Sequence, residues 1–374
     1  MPDIAYRMFF DNKPATREQL DRVEDITVEQ EVDMAWEASI QIPICTDEKG
    51  NWTGEDEVFM ADFARVRVEI KVGDAEFVPL IDGPIVGFQR QMSSEPGRSA
   101  IALTVQDDSI YLNQEDEIFR FENFLDHKIA SQIFDQVQQI ASTEIETTRP
   151  SNSGQTPVVV QRGTKMQLLR AIARRQGMHA YVLPGKQPGE SIGCFKKFPT
   201  EPDQLPPLIL LGAERNVETF NEHKNAQQPS RVQAFALSIT DKTITKSTSD
   251  LGKLDLLGDE QAFQQPANIA TQILHSCEED TVDLDRLVQA EAERLSYAFD
   301  GTGNILTDCY TGVLIPYRVV TVQGANKRSS GNYLISKVTH TLTASNYSQA
   351  FTLKRNARSQ GVGSSIANLA RSIF

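Results

Sequence analysis

The sequence predicts a β-rich α+β protein with two tube-like antiparallel β-barrel domains and mixed or helical inserts. Three observations predict this class. Apolar and polar residues alternate through most of the first hundred residues, and the alternation returns after residue 300. Two stretches between these regions, 124–175 and 284–299, have apolar residues at helical spacing instead. The chain has 374 residues, more than one core usually holds, so two or more domains are expected.

Strands are expected first in the N-terminal hundred residues. In Arg65–Val72 four apolar side chains occupy one face and four charged side chains the other, which is typical of a half-buried strand. Gly73-Asp74 predicts a two-residue hairpin turn after it, because glycine accepts the positive φ of such turns. Asp82-Gly83-Pro84 predicts a break in the strand pattern that follows. Further alternating stretches cover 23–44, 77–88 and 99–106.

The next segment changes to helical spacing. Phe124–Ile140 predicts a helix, and Ser142–Thr156 follows as a polar linker. A second helix, described below, leads to a short strand at Ala180–Leu183. Residues 186–207 contain five prolines and are expected to be a loop.

Thr164–Arg175 gives the clearest helix prediction of the chain. Thr164 and Gln167 can form a capping box at its start. Gly177 is placed to end it, because glycine tolerates the left-handed conformation that closes many helices.

Strands are expected again in the second half of the chain. Val232–Ile244 alternates, and residues 246–299 are then mostly helical or irregular, ending in a long helix at Leu284–Phe299. After Asp300-Gly301 the chain returns to β structure at 312–322, 333–343 and 348–354.

These segments predict five parts in the domain organisation. They are a first tube-like β-barrel domain (1–115), an α/β insert (116–205), a second tube-like β-barrel domain (206–246 and 300–356), a helical insert (247–299) and a C-terminal tail (357–374).

No catalytic, cofactor-binding or metal site is expected. His275, Cys277 and the acids after them match no set of metal ligands, and those acids complement the dipole of the helix that follows. The acidic stretch 47–57 lacks the residue order of a calcium loop and is expected to be a solvated hairpin loop. The five histidines are scattered, and no HExxH or GxSxG motif occurs. We therefore expect a protein that is not an enzyme.

Composition limits the environment of the protein. No run of eighteen apolar residues occurs, so no membrane-spanning segment is expected. Residues 1–10 lack the basic start and the apolar run of a secretion signal. The four cysteines form no CxxC pair, and reduced thiols are expected in a protein made in the cytoplasm.

Charge is unevenly distributed along the chain. The net charge is −14, which argues against nucleic-acid binding. Residues 304–374 contain eight basic residues and one acid, so they carry +7 and the rest of the chain carries −21. The basic end is expected either to face an acidic partner surface or to balance the chain's own acids. The expected partner-binding residues are the cations Lys354, Arg355 and Arg358 and the apolar anchors Ile366, Leu369 and Ile373.

The apolar anchors lie in a tail with an amphipathic pattern. Gly361 and Gly363 predict a hinge before it. Val362, Ile366, Leu369 and Ile373 follow at helical spacing. The tail either packs on its own domain or docks on a partner.

Two stretches of sequence resemble one protein family. The first runs from Gln161-Arg162-Gly163-Thr164 through the helix to Gly177 and Tyr181. The second contains, in order, Leu314-x-Pro316, Val320-x-Val322-x-Gly324, Gly331-x-Tyr333-Leu334-Ile335, Val338-x-His340, Tyr347 and Phe351 to Asn356. Their order resembles the phage late control gene D family, the baseplate hubs of contractile tails, which are similar to the hub portion of VgrG in type VI secretion. Tyr317 departs from the pattern, because relatives usually carry glycine after the proline.

This resemblance implies a function. Three copies would form a ring around an axis, each with two tube-like domains, and the resulting pseudo-sixfold ring would join the tail tube protein to a central spike. Residues for a spike or a lysozyme-like insert are not recognisable, so a separate spike protein is implied. Other baseplate proteins are implied partners, and the implied location is the tail baseplate of a virion or a phage-tail-like particle. A cell-wall hydrolase of such a machine and a stand-alone carbohydrate- or protein-binding β module are the alternatives.

Overall fold

The computed structural model describes residues 3–53, 57–95, 97–149, 158–237, 242–250, 253–262, 270–274, 283–343 and 346–358. Strands account for 46% of the fold and helices for 14%, which confirms the predicted β-rich class. The largest sheet has 13 strands and is antiparallel apart from one short pair, and it curls into a half-barrel.

The N-terminal β region follows the predicted strands closely. Its elements are β1 (Ile4–Phe10), β2 (Lys13–Pro14), α1 (Arg17–Asp21), β3 (Asp25–Glu31), β4 (Glu37–Pro43), β5 (Arg65–Val72), β6 (Val78–Gln91) and β7 (Ala100–Gln106), with 3₁₀ turns at Val58–Met60 and Asp108–Leu112. Strand β5 has the predicted bounds. The connection to β6 covers residues 73–77, longer than the predicted two-residue turn, although Gly73 does have a positive φ of 62°.

The predicted break at Asp82-Gly83-Pro84 is wrong. Strand β6 continues through these residues, pairing with β5 up to Pro84 and with β7 from Ile85 onward. A Cβ atom on Gly83 would lie 1.8 Å from the carbonyl oxygen of Gln106, so glycine is what lets the strand pass so close to β7. The turn-forming residues therefore mark the point within one strand where β6 changes its pairing partner from β5 to β7.

The α/β insert contains two helices and five strands. Its elements are β8 (Glu117–Glu122), α2 (Asp126–Phe134), β9 (Ile140–Ile145), β10 (Val158–Gly163), α3 (Lys165–Arg175), β11 (His179–Pro184) and β12 (Ser191–Lys196). Helix α3 is confirmed, with Thr164 as its N-cap and the predicted capping box to Gln167. Gly177 has a positive φ of 67° just after the C-cap.

Two other predictions for the insert are wrong in part. Helix α2 ends at Phe134 and not at Ile140, and strand β9 covers Ile140–Ile145, which includes the start of the expected polar linker at Ser142. Strand β12 occupies part of the predicted proline-rich loop, because 191–196 contains no proline and buries Phe195 and Cys194. Strand β12 pairs with both β9 and β11.

The chain then enters the second half of the large sheet and leaves it again. The elements are β13 (Leu208–Ile209), β14 (Val217–Lys224), β15 (Arg231–Leu237), β16 (Ile244–Thr248), β17 (Glu260–Gln261), β18 (Thr271–Leu274) and α4 (Leu284–Ser296). Strands β15, β16 and β18 form a separate three-stranded sheet that packs on α4. The sequence placed 231–246 in the second barrel. Strands β15 and β16 join the separate sheet instead, because the small inward residues Val232 and Ala234 pack against Val288 and Ala292 of helix α4.

The last strands complete the large sheet. They are β19 (Phe299–Ile305), β20 (Val319–Gln323), β21 (Gly331–Thr343) and β22 (Tyr347–Arg355). The short strand β23 (Ala357–Arg358) follows and pairs with β17 in a separate two-stranded sheet. The long helix therefore ends before Phe299, and Asp300-Gly301 lies inside β19. The strand order is β14-β19-β22-β21-β3-β4-β7-β6-β5-β1-β2, with β20 between β13 and β21. Strand β21 pairs with β3, so the N-terminal and C-terminal β regions join edge to edge.

Candidate functional site

The seam between β3 and β21 contains a buried polar chain. His340 is 0% exposed, and its Nδ1 lies 2.8 Å from the hydroxyl of Tyr347. Its Nε2 lies 3.2 Å from Oε1 of Gln30, and Nε2 of Gln30 donates to the carbonyl of Leu80 at 2.7 Å. These partners assign the proton to Nε2 and leave Nδ1 to accept from the tyrosine. Burial lowers the pKa of His340 to about 3, so the ring stays neutral and joins the two β regions without a charge.

A buried ionic cluster joins the N-terminal β region to the insert. We call it the ionic joint, and its members are Arg65, Arg67, Glu69, Asp82 and Asp108, with Arg7 at its margin. Arg65 makes a bidentate pair with Asp108 at 2.7 and 2.8 Å and also bonds Asp82 at 2.7 Å. Arg67 bonds Glu69 at 2.6 Å and Asp82 at 2.8 Å. Arg7 pairs with the other oxygen of Glu69.

The ionic joint reaches the loop before β12. The guanidinium of Arg67 donates to the carbonyls of Lys186 and Gln187, at 3.3 and 3.1 Å. The amide of Gly189 donates to Asp82 at 3.0 Å, and the hydroxyl of Ser191 donates to Asp108 at 2.6 Å. Each carboxylate thus bonds an arginine of β5, and two of them also hold the insert.

Burial sets the electrostatics of the ionic joint. Three arginines face three carboxylates, so the formal charges balance. Burial raises the pKa of Asp82, although Arg65 and Arg67 oppose that shift. The pKa of Arg65 is raised by its carboxylate partners despite burial, which itself lowers it. The charged face of β5 was expected to be the solvent side of a half-buried strand. It is instead covered, with Arg67 1% and Glu69 2% exposed.

Tyr317 lies where the insert meets both β regions. Its ring stacks on Tyr181 of the insert, with centroids 3.5 Å apart and planes 4° apart. Its hydroxyl accepts a hydrogen bond of 2.8 Å from the amide of Asp33, in the turn between β3 and β4. The backbone of Tyr317 has φ = 64°, a conformation that favours glycine. The departure from the family pattern therefore keeps a glycine-like backbone and adds a stacked side chain.

A cleft of about 1180 Å³ opens beside the ionic joint. Its walls mix charges of both signs, for example Glu144 and Glu146 with Lys196 and Lys197, and Lys196 pairs with Glu144. Among the described residues, no group of three or more histidines, cysteines and acids is placed to hold a metal ion. Asp47, from the acidic stretch, accepts bonds from the amides of Lys49 and Asn51 at 2.8 Å in an exposed turn.

Comparisons with known proteins show which solved structures have a similar fold. No family model and no curated protein sequence matches the chain. The 43 kDa tail protein of prophage MuSo2 from Shewanella oneidensis matches with a TM-score of 0.66 and 13% identity, over 94% of this chain and 98% of that one. A tail protein from Neisseria meningitidis MC58 matches with a TM-score of 0.61 and 13% identity, over 94% and 96%. The chain has the fold of these phage tail proteins.

A third similar structure comes from type VI secretion. It is an E. coli component of that system described as similar to the T4 bacteriophage tail proteins gp27 and gp5, and it matches with a TM-score of 0.53 and 11% identity, over 95% of this chain and 77% of that one. The resemblance to tail hubs expected from the sequence is therefore confirmed at the level of the fold.

The expected partner-binding residues have different surroundings. Lys354 is exposed on β22, and Arg358 is half-buried on β23, 5.8 Å from the ring centroid of Phe299. Arg355 is 1% exposed, lies 5.1 Å from the ring centroid of Tyr333 and donates to two backbone carbonyls. It differs from the expectation because it packs inside the fold. The anchors Ile366, Leu369 and Ile373 lie outside the described residues, as do His275 and Cys277.

Other expectations concern thiols and membranes. Cys45, Cys194 and Cys309 are free thiols, and burial raises the pKa of Cys194 to about 12. Across the described part of the chain, no helix is long and apolar enough to cross a membrane.

Proposed function

We propose that this chain is a structural baseplate hub of a contractile phage tail or a phage-tail-like injection system. Three copies form a ring that joins the tail tube protein to a separate central spike protein. The observation that carries this proposal is the edge-to-edge union of two β regions in one curled sheet. Three chains with two such regions each supply six, which matches the repeat of a hexameric tube.

The two buried polar clusters, one at His340 and one at the ionic joint, favour a rigid subunit of an assembly. The hydrogen bond between His340 and Gln30 fixes the C-terminal β region on the N-terminal one. The ionic joint fixes the insert on the N-terminal β region. Fully bonded buried polar groups hold one arrangement, because any displacement leaves a charge or a donor unpaired. A ring subunit needs this rigidity, since its two tube-like regions have to stay in register with the tube.

The basic end of the chain supplies a contact for the spike, the tube or another baseplate protein. Lys354 and Arg358 remain in this proposal, with Ile366, Leu369 and Ile373 as apolar anchors, and Arg355 is removed from it because it is buried. The chain acts by binding, with no catalytic activity of its own. Cleavage of peptidoglycan by the purified chain, lost on a single Asp or Glu substitution, would favour the hydrolase alternative instead.

Electron microscopy of the chain mixed with its tail tube protein tests the proposal. We expect closed rings seated on the ends of tubes, with three-fold symmetry in averaged views. Tubes with bare ends, or a chain bound along the tube wall, would contradict a hub.

A further inference from the structure

A cleft lies between helices α3 and α4 and reaches the seam of β3 and β21. It consists of a cavity of about 240 Å³ beside the two helices and a second of about 320 Å³ beside the seam. The two cavities adjoin, because both are lined by the same five residues, Asp33, His179, Phe198, Arg294 and Tyr297. Arg170 of α3 lines the first cavity, and Lys354 of β22 lines the second. We call the two cavities together the α3–α4 cleft.

Arg170 brings a buried donor without an acceptor to this cleft. Its Nε atom is buried and has no hydrogen-bond partner among the described residues. An unpaired buried donor lowers the stability of a fold, and an acceptor supplied by another molecule would remove that cost. Because the donor belongs to a guanidinium, the acceptor that suits it best is an anion such as a carboxylate.

The acids of the α3–α4 cleft cannot supply this acceptor, because each of them already has a basic neighbour. The pairs are Glu31 with Lys337 at 3.3 Å, Asp33 with His179 at 2.9 Å and Glu293 with Lys197 at 4.0 Å. The charge of the lining acids is therefore matched within the chain.

Two cations of the cleft are left over. Arg174 and Arg294 both bond Glu291 of α4, at 3.2 and 3.0 Å, so these two arginines are occupied. The side chain of Lys354 is exposed and makes neither an ion pair nor a hydrogen bond within the part of the chain that the structure describes. Arg170 and Lys354 are thus available to an anionic ligand, one in each cavity.

The part of the cleft that belongs to both cavities is aromatic. The ring of Phe198 stacks on His179, with centroids 3.6 Å apart. The ring of Tyr297 meets Phe198 edge to face, with centroids 5.9 Å apart. Aromatic walls favour an apolar side chain over a hydrated ion. A ligand that fills the cleft therefore needs an anionic group for each cavity and an apolar group between them.

We propose that the α3–α4 cleft binds an acidic peptide segment of a partner protein. One carboxylate of the segment accepts hydrogen bonds from Arg170, a second lies against Lys354, and an apolar side chain between them packs on Phe198 and Tyr297. This inference deepens the proposed function and rests on it, because Lys354 is one of the residues proposed to contact the spike, the tube or another baseplate protein.

A displayed library of short random peptides shows what the cleft selects. The wild-type chain is the bait, and a chain with both Arg170→Met and Lys354→Gln removes the peptides that bind elsewhere. We expect the remaining peptides to carry two Asp or Glu residues separated by an apolar or aromatic residue. A selection without enriched acids, or the same peptides on both baits, would overturn the proposed site.

The most enriched peptide, carrying a fluorescent label, measures the contribution of each cation by anisotropy. Arg170→Met should raise its Kd about tenfold or more, since a buried charge pair is lost. Lys354→Gln should raise it about two- to fivefold, because exposed pairs are weak. Lys327→Gln is the matched control, at an exposed cation outside the cleft, and should leave the Kd unchanged. Equal effects of the three substitutions would contradict the proposal.

Thermal unfolding distinguishes a ligand-binding arginine from a structural one. Arg170→Met keeps an apolar side chain of similar length and removes the unpaired donor, so the variant should melt at or above the wild-type temperature. The peptide should raise the melting temperature of the wild type and leave that of the variant unchanged. A variant that melts far below the wild type would assign Arg170 to holding the fold and would overturn the proposal.

Further outcomes separate this site from a simple anion site and from the hub itself. Displacement of the peptide by inorganic phosphate at equal concentration would overturn a peptide site. Trimeric rings on tube ends without any binding of acidic peptides would overturn the site and leave the hub standing. Binding of the acidic peptide by a chain that stays monomeric would support the site and remove the hub.

Discussion

Replacing Arg67 by methionine removes one of three cations from the ionic joint. The Arg67 side chain is 2% exposed. It bonds the carboxylates of Glu69 and Asp82 and also two backbone carbonyls of the insert. Methionine fills a similar volume but donates nothing, so three buried carboxylates are left with two arginines. Removing one partner of a buried pair costs about 3–5 kcal/mol, a large part of the roughly 5–15 kcal/mol that stabilises a domain. We expect a loss of that size in the free energy of unfolding, measured by guanidinium titration.

Arg7→Met is the matched control. Arg7 pairs with the same acid, Glu69, but its side chain is 50% exposed. Exposed pairs contribute about 0–1 kcal/mol, so the control should lose no more than that. Trypsin should also cut faster after Lys186 in Arg67→Met, because the variant releases that carbonyl. Equal losses in the two variants, or a loss below about 1 kcal/mol for Arg67→Met, would refute the account of the ionic joint.

Three further predictions follow from other parts of the molecule. The pKa of His340 is about 3 when folded and about 6.5 when unfolded, so only the unfolded chain takes up a proton as the pH falls between these values. The stability advantage of the wild type over His340→Gln should therefore shrink by about 2–3 kcal/mol from pH 7 to 4.5 in urea titrations, and an unchanged difference would contradict the neutral buried ring. Gly83→Ala should lower the melting temperature strongly, because its Cβ would meet the backbone of Gln106. Gly87→Ala on the same strand has open space and should be neutral or stabilising. Similar effects at both positions would refute the close passage of β6 past β7 at Gly83. Deleting residues 359–374 should leave a folded chain that fails to assemble with the spike or tube, and normal assembly at low and high salt would exclude the docking role of the tail.

Periodic elements could be predicted from the sequence because their signals are local. Strand β5 follows from alternation over eight residues, and helix α3 follows from Thr164, Gln167 and Gly177 within one short segment. The order of motifs around His340 pointed to the tail-hub fold. For β5 and α3 the residues that decide the structure lie close together in the chain.

The joints could not be predicted, because their partners are distant in sequence. Arg67 and Glu69 look like a solvent face, and only the folded chain brings residues 186–191 over them. His340 lies 310 positions from Gln30, its partner across the seam. Alternation also cannot tell which sheet a strand joins, so β15 was placed in the second barrel although it pairs with β18. A clue was available in β5 itself, where Arg65, Arg67 and Glu69 alternate along one face, so an acid stands within reach of an arginine two residues away.

The mass of the purified chain in solution tests the hub proposal most directly. One chain has a mass of 41.7 kDa. Sedimentation equilibrium at several concentrations should give three times that value, and adding the tail tube protein should produce a larger complex that still contains three copies of this chain. A particle that stays at the mass of one chain, with and without the tube protein, would contradict the hub.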